Sequence, residues 1–186
     1  GGSSSGGAAT AAGLSTDQIV AGLKEALRVG AERVVGQVGA VDGFNADPKI
    51  HIPLPPSLAS AQDTLRKVGL SGLADEVELK LNRAAEEAAP KTKELFWKAV
   101  DGMTLDDAKK IYDGPDDAAT QYFRRIATPE LRATVEPVVD NALKEVGAIT
   151  AYDQLMGQYK ALPFVPDVKA DLQAHATELT LDGIFH

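Results

Sequence analysis

Apolar residues recur three and four apart along almost the whole of this chain, and at alternate positions in only one short stretch. Ile19, Leu23, Leu27, Val34 and Val38 set the spacing in "STDQIVAGLKEALRVGAERVVGQVG". Leu73, Val77, Leu81, Ala84, Ala85 and Ala88 repeat it in "GLADEVELKLNRAAEEAAPK". A period near 3.6 belongs to a helix with one buried face. Ala and Leu are abundant and aromatic residues make up only 5% of the chain, which also favours helices over sheet.

Proline and glycine divide this pattern into separate helices. The first is expected over 16–38, capped by Ser15 or Thr16, with Gly22, Gly30 and Gly36 serving close packing against a neighbour. A short helix capped by Ser57 runs to about Val68 and ends at Gly69. A long one opens at Ser71 and kinks or breaks near Pro90. Thr104 and Asp107 form a capping-box variant before "LDDAKKIY". Thr128 caps the next long helix, which carries a second expected kink at Pro137. Helices over "AITAYDQLMGQYKAL" and "DVKADLQAHATELTLDGIF" follow, with "PFVPD" as a hinge between them.

The exception is "AVDGFNADPKIHIPLPPS". Here Ile50, Ile52 and Leu54 alternate with Lys49, His51 and Pro53, and the prolines from Pro53 to Pro56 forbid a helix. The stretch reads as a long ordered loop or a short edge hairpin, opened by a turn at "VDGF". The expected fold is all-α: an irregular or orthogonal bundle of seven or eight helices with one Pro-rich extended loop or short hairpin. Residues 1–14 have the composition of a flexible Gly/Ser/Ala linker, and 15–186 are expected to form a single helical domain.

Several function classes lack support. The net charge of −8 argues against a nucleic-acid partner, which needs a basic surface. No apolar run approaches the ~18–20 residues of a transmembrane helix. There is no cysteine, and none of the three histidines stands at helical spacing from another, so no metal site is expected. "DGFNAD" and "DGPDD" are acidic loops without the ligand spacing of a calcium-binding loop. Nucleotide-binding glycine motifs and a nucleophile elbow are absent, and no cofactor or catalytic residue is assigned.

Two polar constellations remain. In "DGPDDAATQYFRR" a helix starting with Pro115 at its first position places Asp116 and Asp117 at the positive end and Arg124 and Arg125 at the negative end, so helix physics explains most of it. Tyr122 falls on the apolar stripe, where its hydroxyl needs a partner if buried. In "LKLNRAAEEAAPK", Asn82 and Glu86 are one turn apart and Arg83 can pair with Glu86 or Glu87 among small alanines. That cluster is either a solvated ion-pair face or a buried network, which would fix the neighbouring loop or read a carboxylate or phosphate. The candidate ligand-binding set is Asn45, Asp47, His51, Asn82, Arg83, Glu86, Asp117, Tyr122 and Arg124. It assumes that the long helix faces both the "NADPKIHIP" loop and the Asp117–Arg124 helix.

"DGFNADPKIHIPLP", "LNRAAEEAAPKTKELF", "GPDDAATQYFR" and "YDQLMGQYKALPFVPD" together resemble a bacterial family known as domain of unknown function 4197, in the expected order from about Leu14 to Phe185. The resemblance implies an export signal and a periplasmic or outer-membrane-tethered helical protein, with a lipid tether upstream of residue 1 as one form of attachment. It also implies a further helical segment after "GIF", whose loss would expose apolar surface on the last helix. No reaction comes with it.

Three readings stay open. One is a non-enzymatic envelope protein binding an envelope partner or a small apolar ligand, the latter in a cavity lined by residues such as Leu95, Phe96, Phe123, Leu155 and Phe164. Another is a hydrolase-like enzyme in which Glu86, Asp117, His51 and Arg83 converge. The third is a purely structural protein, which predicts no pocket.

Overall fold

Ala84, Ala85, Ala88 and Ala89 are wholly buried, and they set the architecture. Small side chains let neighbouring helices approach closely. The helix that carries them is therefore packed by others on most of its circumference. The computed structural model describes residues 15–69, 71–163 and 171–186. The linker over 1–14, Phe164 and most of the "PFVPD" hinge lie outside the described residues.

The described residues form α1 (Thr16–Val38), α2 (Pro56–Lys67), α3 (Ser71–Lys91), α4 (Lys93–Asp101), α5 (Leu105–Tyr112), α6 (Ala118–Tyr122), α7 (Thr128–Glu145), α8 (Ala148–Lys160) and α9 (Leu172–Ile184). A π-helical turn, Phe123–Ala127, joins α6 to α7. The described residues contain no strand, and the fold is all-α. The alanine-rich α3 is its spine: α7, α8, α9, α1 and α2 all pack against it.

Among the described residues there are nine helices because the long one ends just after Pro90, one of the two outcomes its proline allowed. Pro90 has no N–H for the carbonyl four residues earlier, which weakens the last turn. Thr92 then takes φ −89° and ψ −7° and donates its hydroxyl to the Ala89 carbonyl at 2.6 Å. Pro137, by contrast, sits inside an uninterrupted α7.

Local chemistry explains the other boundaries. Ser15 and Gln18 form a complete capping box on α1. The Thr104–Asp107 box closes in both directions, each bond 3.1 Å long, so the shorter acid suffices. α2 begins two residues earlier than Ser57 as a cap would have it. Pro56 takes the first helical position, where its missing N–H costs nothing, and Ser57 is already helical.

The larger correction concerns Pro115. The helix expected to start there starts at Ala118, with Asp117 at its cap position, and lasts five residues. Nor does Thr128 open a separate helix: the chain passes from α6 through the wider π-turn directly into α7. Pro129 gives the physical reason. It offers no N–H to the Arg125 carbonyl and its ring crowds it, and a π-turn makes room for that defect.

Residues 39–55 are a loop, not a hairpin. Ile50, Ile52 and Leu54 are buried while Lys49 and Pro53 are exposed, so the alternation is real without a strand partner. The loop enters through a tight turn in which Asp42 adopts φ 67°, a region that Asp tolerates through its short polar side chain. A side chain at Gly43 would meet the Val38 carbonyl oxygen at 2.3 Å, so only glycine fits there. The glycines of α1 are not packing contacts, since a Cβ on Gly22, Gly30 or Gly36 would meet nothing within 4 Å. Close packing occurs instead at Gly39, where a Cβ would lie 2.4 Å from Pro90 Cγ.

Only Val35 of α1 is fully buried. The rest of the helix lies half-buried across α3, α4, α5 and α9. Polar contacts fasten it: Arg28 pairs with Asp101, Lys24 donates to the Asp101 carbonyl, and Trp97 Nε1 donates to the Arg28 carbonyl at 3.2 Å. The apolar side of α9 is covered, with Leu181, Ile184 and Phe185 all buried, so no exposed apolar face appears there.

Candidate functional site

α3 projects Asn82, Arg83 and Glu86 toward the 39–55 loop, and each grips a different part of it. Glu86 is 4% exposed. Its Oε1 accepts the backbone N–H groups of Phe44 at 3.2 Å and Asn45 at 3.0 Å, and its Oε2 accepts from Arg83 at 2.8 Å. Arg83 reaches on to Asp42 at 2.9 Å, and Asn45 Nδ2 donates to the same Asp42 oxygen at 3.1 Å. The bond from Asn45, then that from Arg83, holds the Asp42 carboxyl below the ordinary aspartate range. The bond to Glu86 likewise favours the charged Arg83 guanidinium.

Asn82 works as a backbone surrogate. Its Oδ1 accepts the Ile52 N–H at 2.8 Å, and its Nδ2 donates to the Ile52 carbonyl at 2.9 Å and the Glu78 carbonyl at 2.9 Å. The extended segment thus finds in one side chain the pairing that a neighbouring strand would supply. His51 Nδ1 donates to the Asn45 carbonyl at 2.8 Å, while its Nε2 lies 3.5 Å from Glu78. Asp47 bonds locally, accepting the Lys49 N–H at 3.0 Å. Behind the loop, the buried Phe44 ring packs against Gly183 of α9, and His175 Nε2 donates to the Pro53 carbonyl at 2.8 Å.

Six of the candidate residues, Asn45, Asp47, His51, Asn82, Arg83 and Glu86, therefore lie on the loop and the helix face that holds it. Asp117, Tyr122 and Arg124 serve elsewhere. Asp117 accepts from Gln121 at 3.3 Å. Arg124 lies 3.7 Å from Asp182 and stands over the Phe185 ring at 5.8 Å. Among the described residues, no hydrogen bond or ion pair joins these three to the loop cluster. α6, capped by Asp117 and ending at Tyr122, packs on α5 and on the π-turn that carries Arg124.

The chemical consequence is that the loop cluster is saturated. Both Glu86 oxygens and all the polar atoms of the Asn82 amide are engaged with the protein itself. Asp42, the acid that completes the network, was not among the candidates; its only sequence signal is the "VDGF" turn.

Two open sites lie on either side of α4 and the π-turn. On one side a cavity of about 250 Å³ lies beneath α1. Its floor is Phe96, Phe123 and Phe185, and its roof includes Leu27, Gly30, Ala31 and Val34. Phe96 meets Phe123 edge-on with centroids 5.9 Å apart and Phe185 edge-on at 5.7 Å. Of the apolar lining residues expected from sequence, Phe96 and Phe123 are here, Leu155 is buried in the core and Phe164 is outside the described residues. Leu95 lies on the other side, in a cleft of about 670 Å³ between α4, α5 and α7 that also takes in Tyr122. Leu27 and Val34 were legible as one face of α1, but nothing local ties them to Phe185.

Among the described residues no group of three or more His, Asp or Glu side chains is placed to hold a metal ion, and no helix is long and apolar enough to cross a membrane. No curated protein and no solved structure matches the chain significantly. A family model does match over residues 13–186, nearly the whole length, and the chain belongs to that family, described as protein of unknown function (DUF4197).

Proposed function

We propose that this is a non-enzymatic cell-envelope protein that binds a small apolar ligand in the cavity beneath α1. The observation that carries the reading is the aromatic floor of Phe96, Phe123 and Phe185 facing open space under a half-buried helix. Binding pockets are concave and mostly apolar, commonly ~300–1,000 Å³, and a 150 Å³ engineered cavity already takes benzene. At about 250 Å³ this one suits a ligand smaller than a typical drug, such as a fused aromatic or a short acyl chain. The saturated loop cluster supports the non-enzymatic part, because Glu86 has no free oxygen to act as acid or base. The envelope location rests on the tether-like composition of 1–14 and the resemblance noted above. Fractionation of cells expressing the natural full-length chain tests it; recovery in the cytoplasm would reject it.

The binding site is tested by NMR titration with naphthalene. Shifts should gather on Phe96, Phe123 and Phe185. Gly30→Leu directs a side chain from the cavity wall, where a Cβ meets nothing within 4 Å, and should abolish binding without lowering Tm. Absence of binding to the native chain, or binding unchanged in Gly30→Leu, would reject the site.

A further inference from the structure

The cleft between α4, α5 and α7 contains an unusual tyrosine. Tyr122 is only 8% exposed, yet its hydroxyl has no hydrogen-bond partner among the described residues and its side chain lines the cleft. Its oxygen is not sealed in the core but reaches the cleft, so a group entering there can meet it. The surrounding chemistry indicates what kind of group the cleft can receive.

The wall is rich in acceptors and poor in donors. Asp101, Asp107 and Glu130 line it against a single cation, Lys98. Asp101 is held by Arg28, and one oxygen of Asp107 accepts the Thr104 N–H. Glu130 has no side-chain partner among the described residues. Thr134 spends its hydroxyl proton on the Glu130 and Leu131 carbonyls, which leaves oxygen lone pairs. Burial, then the charges of Asp107 and Glu130, push the Tyr122 pKa up, so the hydroxyl stays neutral in a negative field. Leu95, Ala99 and Leu131 supply an apolar wall beside these groups.

We propose that this cleft binds a small organic amine, with its ammonium group among Asp107, Glu130 and the Tyr122 hydroxyl and its apolar body against Leu95, Ala99 and Leu131. An ammonium brings three donors and a positive charge to a site that offers acceptors and negative charge. A cavity of about 670 Å³ accommodates a ligand of ordinary metabolite size. A metal ion is the weaker fit, because no three acidic or imidazole groups converge among the described residues. The site is independent of the apolar cavity on the far side of α4.

The test is NMR titration of the native chain with phenethylamine, against 2-phenylethanol as a neutral isostere. The amine should bind at least tenfold more tightly, with shifts centred on Tyr122, Leu131 and Ala99. Glu130→Gln should remove most of that preference and leave the alcohol unaffected. Tyr122→Phe, which keeps the ring, should weaken the amine several-fold at unchanged Tm. Gly30→Leu should leave amine binding intact. Equal binding of amine and alcohol, an amine affinity unmoved by Glu130→Gln, or no binding of the amine would each overturn the proposal.

Discussion

Glu86 carries a carboxylate into the interior at 4% exposure, and its partners make that tolerable. Two backbone N–H groups and a guanidinium meet its oxygens, and hydrogen bonds to charged groups are the stronger kind. Removing Glu86 leaves the Phe44 and Asn45 donors and the Arg83 charge without their acceptor. Glu86→Ala is therefore expected to cost about 3 kcal/mol in denaturant unfolding. Arg83→Ala should cost clearly more than the ~1 kcal/mol ceiling of a surface pair, and a loss below that would mean Glu86 does not need its counter-charge. Asp42 adds a pH dependence. Its folded pKa lies below the ordinary value of 3.8, so its contribution is complete above that value and is lost as pH falls through the folded one. A carboxyl-carbon NMR titration should find Asp42 below 3.8, and Arg83→Ala should move it upward.

At the scale of elements, α1 separates two roles for glycine that sequence does not distinguish. Gly22 faces open space, so Gly22→Ala should stabilise by up to ~1 kcal/mol through helix propensity. Gly39 lies where α1 ends against Pro90, with backbone on its other side, so Gly39→Ala should destabilise by ~1–3 kcal/mol through overpacking. Opposite shifts in Tm, read by circular dichroism, check both; shifts of the same sign would refute the distinction. Helix identity and most boundaries were legible from period and capping. The α6–α7 junction was not. Pro115 looked like a helix start and Pro129 like a fresh one, because a π-turn that absorbs a proline has no local residue signature.

At the scale of the whole molecule, sequence left Asn82, Arg83 and Glu86 as either a solvated ion-pair face or a buried network against the proline-rich loop, and the packing of the loop on α3 decides for the network. Sequence misplaced Asp117, Tyr122 and Arg124 beside them. Helix periodicity says which face of α6 is buried but not which helix covers it, and that choice is made by long-range packing. The aromatic cavity is of the same kind, since Phe96, Phe123 and Phe185 meet only when α4, the π-turn and the end of α9 come together.

The loop at 39–55 is bound on two sides, by α3 through Glu86 and Asn82 and by α9 through His175 and Gly183. Its amides at Phe44, Asn45 and Ile52 are covered without any strand, and they can meet water only if a helix from the middle of the chain and another from its far end let go. Measured by hydrogen exchange, this proline-rich connection should rank with the slowest-exchanging helices rather than with the loops, opening only in the same cooperative event that unfolds α3 and α9.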